Sequence, residues 1–183
     1  AHLKRATSDT RARMRSAVLV NVALGVSIVL IAFLYARPSR PIWLDELFHF
    51  ALASMSWTEA VRAIDYTTIE INFGQTGIYM LLDWALLKGF GANAFILRLP
   101  SFLSALLLLA ASVSFIRQRG LPASWQFITL ITIAGHSSLM WLTGEARPYM
   151  PVAASAVCIL AYYQLSPQER NAPWGWMLVV FGF

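Results

Sequence analysis

Asp45 and Glu46 stand side by side directly after the apolar Ile42-Trp43-Leu44. A carboxylate beside an apolar run is costly to bury, so it is solvated, paired or functional. As a base it can take the proton of an acceptor hydroxyl and free the oxygen to attack. His49 follows Asp45 by four residues, so on a helix the two share a face. That makes a carboxylate–histidine pair or half of a metal site; a solvated surface histidine is the plainer reading. Farther along, Arg98 lies in Leu97-Arg98-Leu99-Pro100-Ser101 and Arg147 in Glu145-Ala146-Arg147-Pro148-Tyr149. A guanidinium can grip a phosphate through paired, charge-assisted hydrogen bonds, can pair with a neighbour such as Glu145, or can reach up to headgroups. The lone Cys158 sits in an apolar run and reads as a small buried hydrophobe. Gly89-Phe90-Gly91 is too short to be a phosphate loop, and the chain has no G-x-S-x-G, H-E-x-x-H or C-x-x-C. A soluble nucleotide site is therefore not encoded, and a phosphate handled here is one attached to a lipid.

The elements that must carry these residues follow from composition. The chain has 183 residues, 58% hydrophobic and 13% charged, with a mean hydropathy of +0.60. That leaves too little polar surface to cover a water-facing globule. Apolar runs over 17–36, 96–116, 124–143 and 150–165 read as membrane helices, and another begins at 174. The residues after the first run, Arg37-Pro38-Ser39-Arg40, make a poor cleavage site, so that run reads as a retained anchor. The stretch 74–90 is interrupted by Asp83 and Lys88 and reads as interfacial. His136, inside the third run, is expected to make a buried polar contact between helices.

With 74–90 on the surface, Lys4 to Arg15, Arg117, Arg119 and Arg170 share one face with only Asp9 and Glu169 as acids. That face carries +6 and the other −1, in keeping with the formal net charge of +5. The basic face is the cytoplasmic one by the positive-inside rule. The charge is a topology signal, and no nucleic-acid partner is expected. Residues 37–95 then form a long external loop carrying surface helices, one of them within 43–57. The expected fold is all-α: a single polytopic membrane helix bundle over 1–183, an incomplete module with its N-terminus cytoplasmic.

Taken together, these segments resemble the GT-C type integral-membrane glycosyltransferases, in particular bacterial relatives of the dolichyl-phosphate-mannose protein mannosyltransferases and the aminoarabinose transferases. Trp43-Leu44-Asp45-Glu46 is similar to the family's W-x-D-E pattern after its first helix. Ile78-Tyr79-Met80-Leu81-Leu82 and Phe90-Gly91-Ala92-Asn93 resemble its surface helix and F-G turn. Leu97 to Ser101 and Glu145 to Tyr149 resemble its L-R-L-P-S and E-A-R-P-Y segments, in order, between about Pro41 and Leu165. The resemblance implies transfer of a sugar from a polyprenyl-phosphate donor to an acceptor hydroxyl or similar group. The reaction would run on the periplasmic face of a bacterial inner membrane, with inversion. It implies Asp45 as catalytic base, Glu46 as its support, and Arg147 and Arg98 on the donor phosphate. Glu70, Tyr149 and His49 are accessory candidates, and a divalent cation is the cofactor such a site could take. The expected partners are the lipid-linked donor, membrane lipids and a larger membrane complex. A second reading, a non-catalytic subunit of such a complex, is motivated by Phe73-Gly74-Gln75-Thr76-Gly77, where relatives carry a Pro pair or an acidic-Lys-Pro element.

Overall fold

The structure, a computed structural model, describes residues 2–36, 42–70, 77–165 and 168. Every element among them is helical. A long α1 (His2–Tyr35) leads to three helices, α2 (Leu44–Ser54), α3 (Trp57–Glu70) and α4 (Gly77–Phe90). A single turn, α5 (Ala94–Leu97), precedes α6 (Leu99–Gln118), α7 (Ala123–Gly135), α8 (Ser137–Thr143) and α9 (Tyr149–Tyr163).

Local chemistry sets the boundaries. Glu46, third residue of α2, reaches back to accept the Trp43 N–H at 3.2 Å, the carboxylate half of a capping box. Ser56 and Glu59 build a fuller one at α3, where Glu59 accepts both the N–H and the hydroxyl of Ser56, at 2.8 and 2.7 Å. Asn93 Oδ1 accepts the Ile96 N–H at 2.9 Å and starts α5. Gly120, at φ 65°, closes α6 in a Schellman motif. Its N–H bonds the Arg117 carbonyl and the next residue's N–H bonds that of Ile116, at 3.0 and 3.3 Å.

The core lies among α1, α6, α7 and α9: Val20, Ala23, Ile31, Leu108, Leu109, Leu130, Met150 and Ala154 are all buried in it. The α6–α9 seam is made of small residues, Ala111 against Cys158 and Ala161, which let two helices approach closely. A second layer seats α2 and α3 on α4 through Leu52, Ala60, Ile64 and Met80. A third cluster, Leu87, Leu97 and Ala146, joins α4 to the turn before α9.

The outer faces are apolar as well. Val22, Val26, Val29 and Phe33 on α1, Leu103 on α6, Ile128 on α7 and Val152 on α9 are all exposed. Among the described residues Leu99–Gln118 is the one helix both long and apolar enough to cross a membrane; Ala17–Phe33, Ala123–Gly135 and Tyr149–Tyr163 are apolar but shorter. The segment 74–90, expected at an interface, contributes α4, whose 14 residues span about 21 Å.

One expectation is corrected. The run 124–143 is not one helix: it breaks at His136, which is extended (φ −74°, ψ 112°) between α7 and α8 and exposed rather than buried. Gly135 before it is a weak helix former, and Ser137-Ser138 after it favour the start of a helix over its interior. The fifth expected run, from 174, lies outside the described residues.

Leu109 is 1% exposed at the centre of the bundle. Leu109→Ala is expected to lower stability by about 2–5 kcal/mol, whereas truncating exposed Val29 should leave it within about 0.5 kcal/mol. Thermal unfolding of the purified variants reads both.

Candidate functional site

Glu46 is 1% exposed and bonded on both oxygens. Arg98 grips it as a fork, Nε to Oε1 at 3.0 Å and Nη2 to Oε2 at 2.8 Å. The Ala146 N–H donates to Oε1 at 3.0 Å, and the Trp43 N–H to Oε2. Arg98 occupies the cap shared by α5 and α6, so the kink between those helices aims it at α2. Burial by itself would push the Glu46 carboxyl up. The Arg98 hydrogen bonds, the Ala146 amide, the Arg98 charge and the Trp43 amide together outweigh it and hold the group below the usual carboxylate range.

Beside this fork runs a second line of polar contacts. The Ser101 hydroxyl, one turn along α6 from Arg98, donates to the Glu145 carbonyl at 2.6 Å and lies 3.3 Å from that of Arg147. Tyr79 Oη lies 3.3 Å from Ser101 Oγ. A hydroxyl has one proton, and Ser101 spends its own on Glu145, so Tyr79 is the donor to Ser101. The Tyr79 ring meets His49 edge-on, centroids 6.1 Å apart. His49 Nδ1 lies 2.8 Å from Asp83 Oδ2, with both side chains fully buried. Burial pushes the Asp83 carboxyl up, opposed by the adjacent His49 and reinforced by the charge of Glu46.

Asp45 is the second residue of α2, next to Glu46 and one turn before His49. Its backbone amide is among those a helix leaves without an intrahelical partner, and a carboxylate in this first turn is favoured by the helix dipole. Its side chain lies outside those described. Arg147 follows Ala146 in the turn before α9. Its Nε is 3.5 Å from Glu145 Oε2, and its side chain is 31% exposed against 6% for Glu145. Tyr149 opens α9 and is exposed. Trp43 and Trp141, both exposed, meet edge-on with centroids 6.4 Å apart, which brings the start of α2 to α8. Glu70 ends α3, and its side chain too lies outside those described.

Several expectations change on this geometry. Arg98, expected on a donor phosphate, is 6% exposed and has its fork on Glu46. Glu46, expected beside Asp45 in the chemistry, spends both oxygens on tying segments together. His49, whose plainer reading was a solvated surface histidine, is fully buried and meets the carboxylate of Asp83 from α4. Asp83 had registered only as an interruption in an apolar stretch. Its one legible signal is its spacing from Tyr79 and Leu87, four residues to either side, which puts all three on the buried face of α4. No group of three His, Cys, Asp or Glu able to hold a metal occurs among the described residues. No family model matches the chain, and neither a curated protein nor a solved structure matches it.

Removing Arg98 leaves a buried carboxylate uncompensated. Arg98→Ala is expected to cost about 3–5 kcal/mol of stability, read by denaturant or thermal unfolding. The pH dependence follows from the lowered Glu46 carboxyl. Its contribution is complete above the unfolded value of about 4.3 and is lost as pH falls through the lower folded value. Acid titration of stability should therefore show a component below about pH 4 that is missing from Glu46→Gln.

Proposed function

We propose that this chain belongs to a polyprenyl-phosphate-sugar-dependent glycosyltransferase of the GT-C type, built as a polytopic bundle in a bacterial inner membrane with its site on the external face. What carries the reading is a convergence. Three of the segments bearing the resemblance are joined by one carboxylate, Glu46 bonding across 52 residues to Arg98 and across 100 to Ala146. The apolar outer faces of α1, α6, α7 and α9 suit a lipid surround, which supports the membrane part of the reading.

In this mechanism Asp45 accepts the proton of the acceptor hydroxyl as its oxygen attacks the anomeric carbon. The bond from that carbon to the donor phosphate breaks, and the configuration inverts. The leaving lipid phosphate gains negative charge, and Arg147 is the cation suited to stabilise it. The assignment falls to Arg147 because its side chain keeps 31% of its surface exposed, whereas Arg98 is held by Glu46.

The test is transfer of a labelled sugar from polyprenyl-phosphate donors by the full protein in membranes or detergent. Asp45→Asn is expected to lower kcat by about 10²–10⁴-fold with unfolding unchanged. Arg147→Ala is expected to lower it by about 10²–10³-fold, with partial recovery in Arg147→Lys. Full activity in folded Asp45→Asn would remove Asp45 from the mechanism.

A further inference from the structure

The pair His49–Asp83 has no part in the chemistry just described, and packing does not account for it. It sits at the α2–α4 contact, between the apolar cluster of Leu52 and Met80 and that of Leu87 and Leu97. Both side chains are 0% exposed. Two apolar residues of similar volume would fill this place without the penalty of taking a carboxylate out of water.

The pair does, however, close a circuit. Glu46 of α2 holds Arg98 at the head of α6. Ser101 of α6 meets Tyr79 of α4, and Asp83, one turn beyond Tyr79, returns to His49 of α2. The turn before α9 is clamped into this ring twice, by the Ala146 N–H on Glu46 and by the Glu145 carbonyl on Ser101. His49 also presses edge-on against the Tyr79 ring, whose hydroxyl orients Ser101. Any rotation of α2 that carries Asp45 therefore also shifts the support under Arg147.

We propose that His49 and Asp83 are positioning residues. By locking α2 to α4, and through Tyr79 and Ser101, they fix the first turn of α2 against the Glu145–Arg147 turn in the geometry that transfer requires. The catalytic consequence rests on the transferase reading above; the structural one rests on the ring of contacts alone.

The test uses the full chain and reads two quantities. The double variant His49→Leu, Asp83→Leu replaces the pair with apolar groups and should keep its unfolding midpoint. Its kcat for sugar transfer is expected to fall at least tenfold, with the donor KM within twofold. Amide hydrogen exchange at Ala146 is expected to quicken at least tenfold, while Leu109 in the core of α6 exchanges as before. A double variant with wild-type kcat, or with unchanged Ala146 exchange, overturns the proposal. If it does not fold, Tyr79→Phe decides, since it removes one hydroxyl and keeps the ring: the same two changes are expected at smaller amplitude, and their absence overturns the proposal. Should the wild-type protein transfer no sugar from any polyprenyl-phosphate donor, the transferase reading fails. The exchange rate at Ala146 then judges the ring on its own.

Discussion

A carboxylate with almost none of its surface in water must be bonded on both oxygens or give up its charge. Glu46 meets the first condition with an arginine fork and two backbone amides, drawn from three places in the chain. Each donor is where it is because of something local. Trp43 is the cap of α2, Arg98 is the hinge of α5 and α6, and Ala146 lies in the turn that Pro148 ends at the head of α9. Together these donors hold the carboxylate in its ionised form, and through it the three places are tied at one point. This group is one of the ties that hold α2 to α6 and to the turn before α9.

Such an arrangement contributes specificity of geometry more than net stability. A buried fork roughly offsets its own desolvation, but losing one partner strands the other. The penalty for misplacement is therefore steep, and a steep penalty is what keeps the start of α2 from sliding over α6. The small-residue seam of α6 against α9 does the same work on the other side by close backbone approach. The turn from Gly144 to Pro148 lies between a polar anchor and an apolar one.

The helical class of the fold was legible in composition and run length, because long apolar runs with few charges leave little else for the backbone to do. A helix within 43–57 was legible too, and α2 occupies Leu44–Ser54. The break at His136 was not, because apolar run length takes no account of the weak helix former Gly135 or the serines that follow it. At the site, the sequence singled out Glu46, Arg98, His49 and Arg147 but assigned partners by proximity along the chain. Pairing Asp45 with His49 uses a spacing of four, which is all a single helix can reveal; the contact of His49 with Asp83 spans two helices. Sequence alone does not rank a partner 34 positions away above one on the next turn, and so Asp83 looked like a defect in an apolar stretch.

The two arginines show how burial separates roles that residue type leaves equal. Both lie at a helix start with a proline one or two residues on, and both could grip a phosphate. Arg98 has a carboxylate of matching geometry within 3.0 Å, so an incoming anion would have to displace a bidentate pair and strand Glu46. Arg147 approaches Glu145 at 3.5 Å through one nitrogen and keeps nearly a third of its side chain in the open. An anion can reach the part-exposed Arg147 side chain, whereas at Arg98 it would first have to open the fork on a buried carboxylate. The fixed arginine and the accessible one are linked by Ala146, whose amide is on Glu46 while the next residue is Arg147 itself. The buried pair thus sets where the accessible cation stands without being available to the ligand.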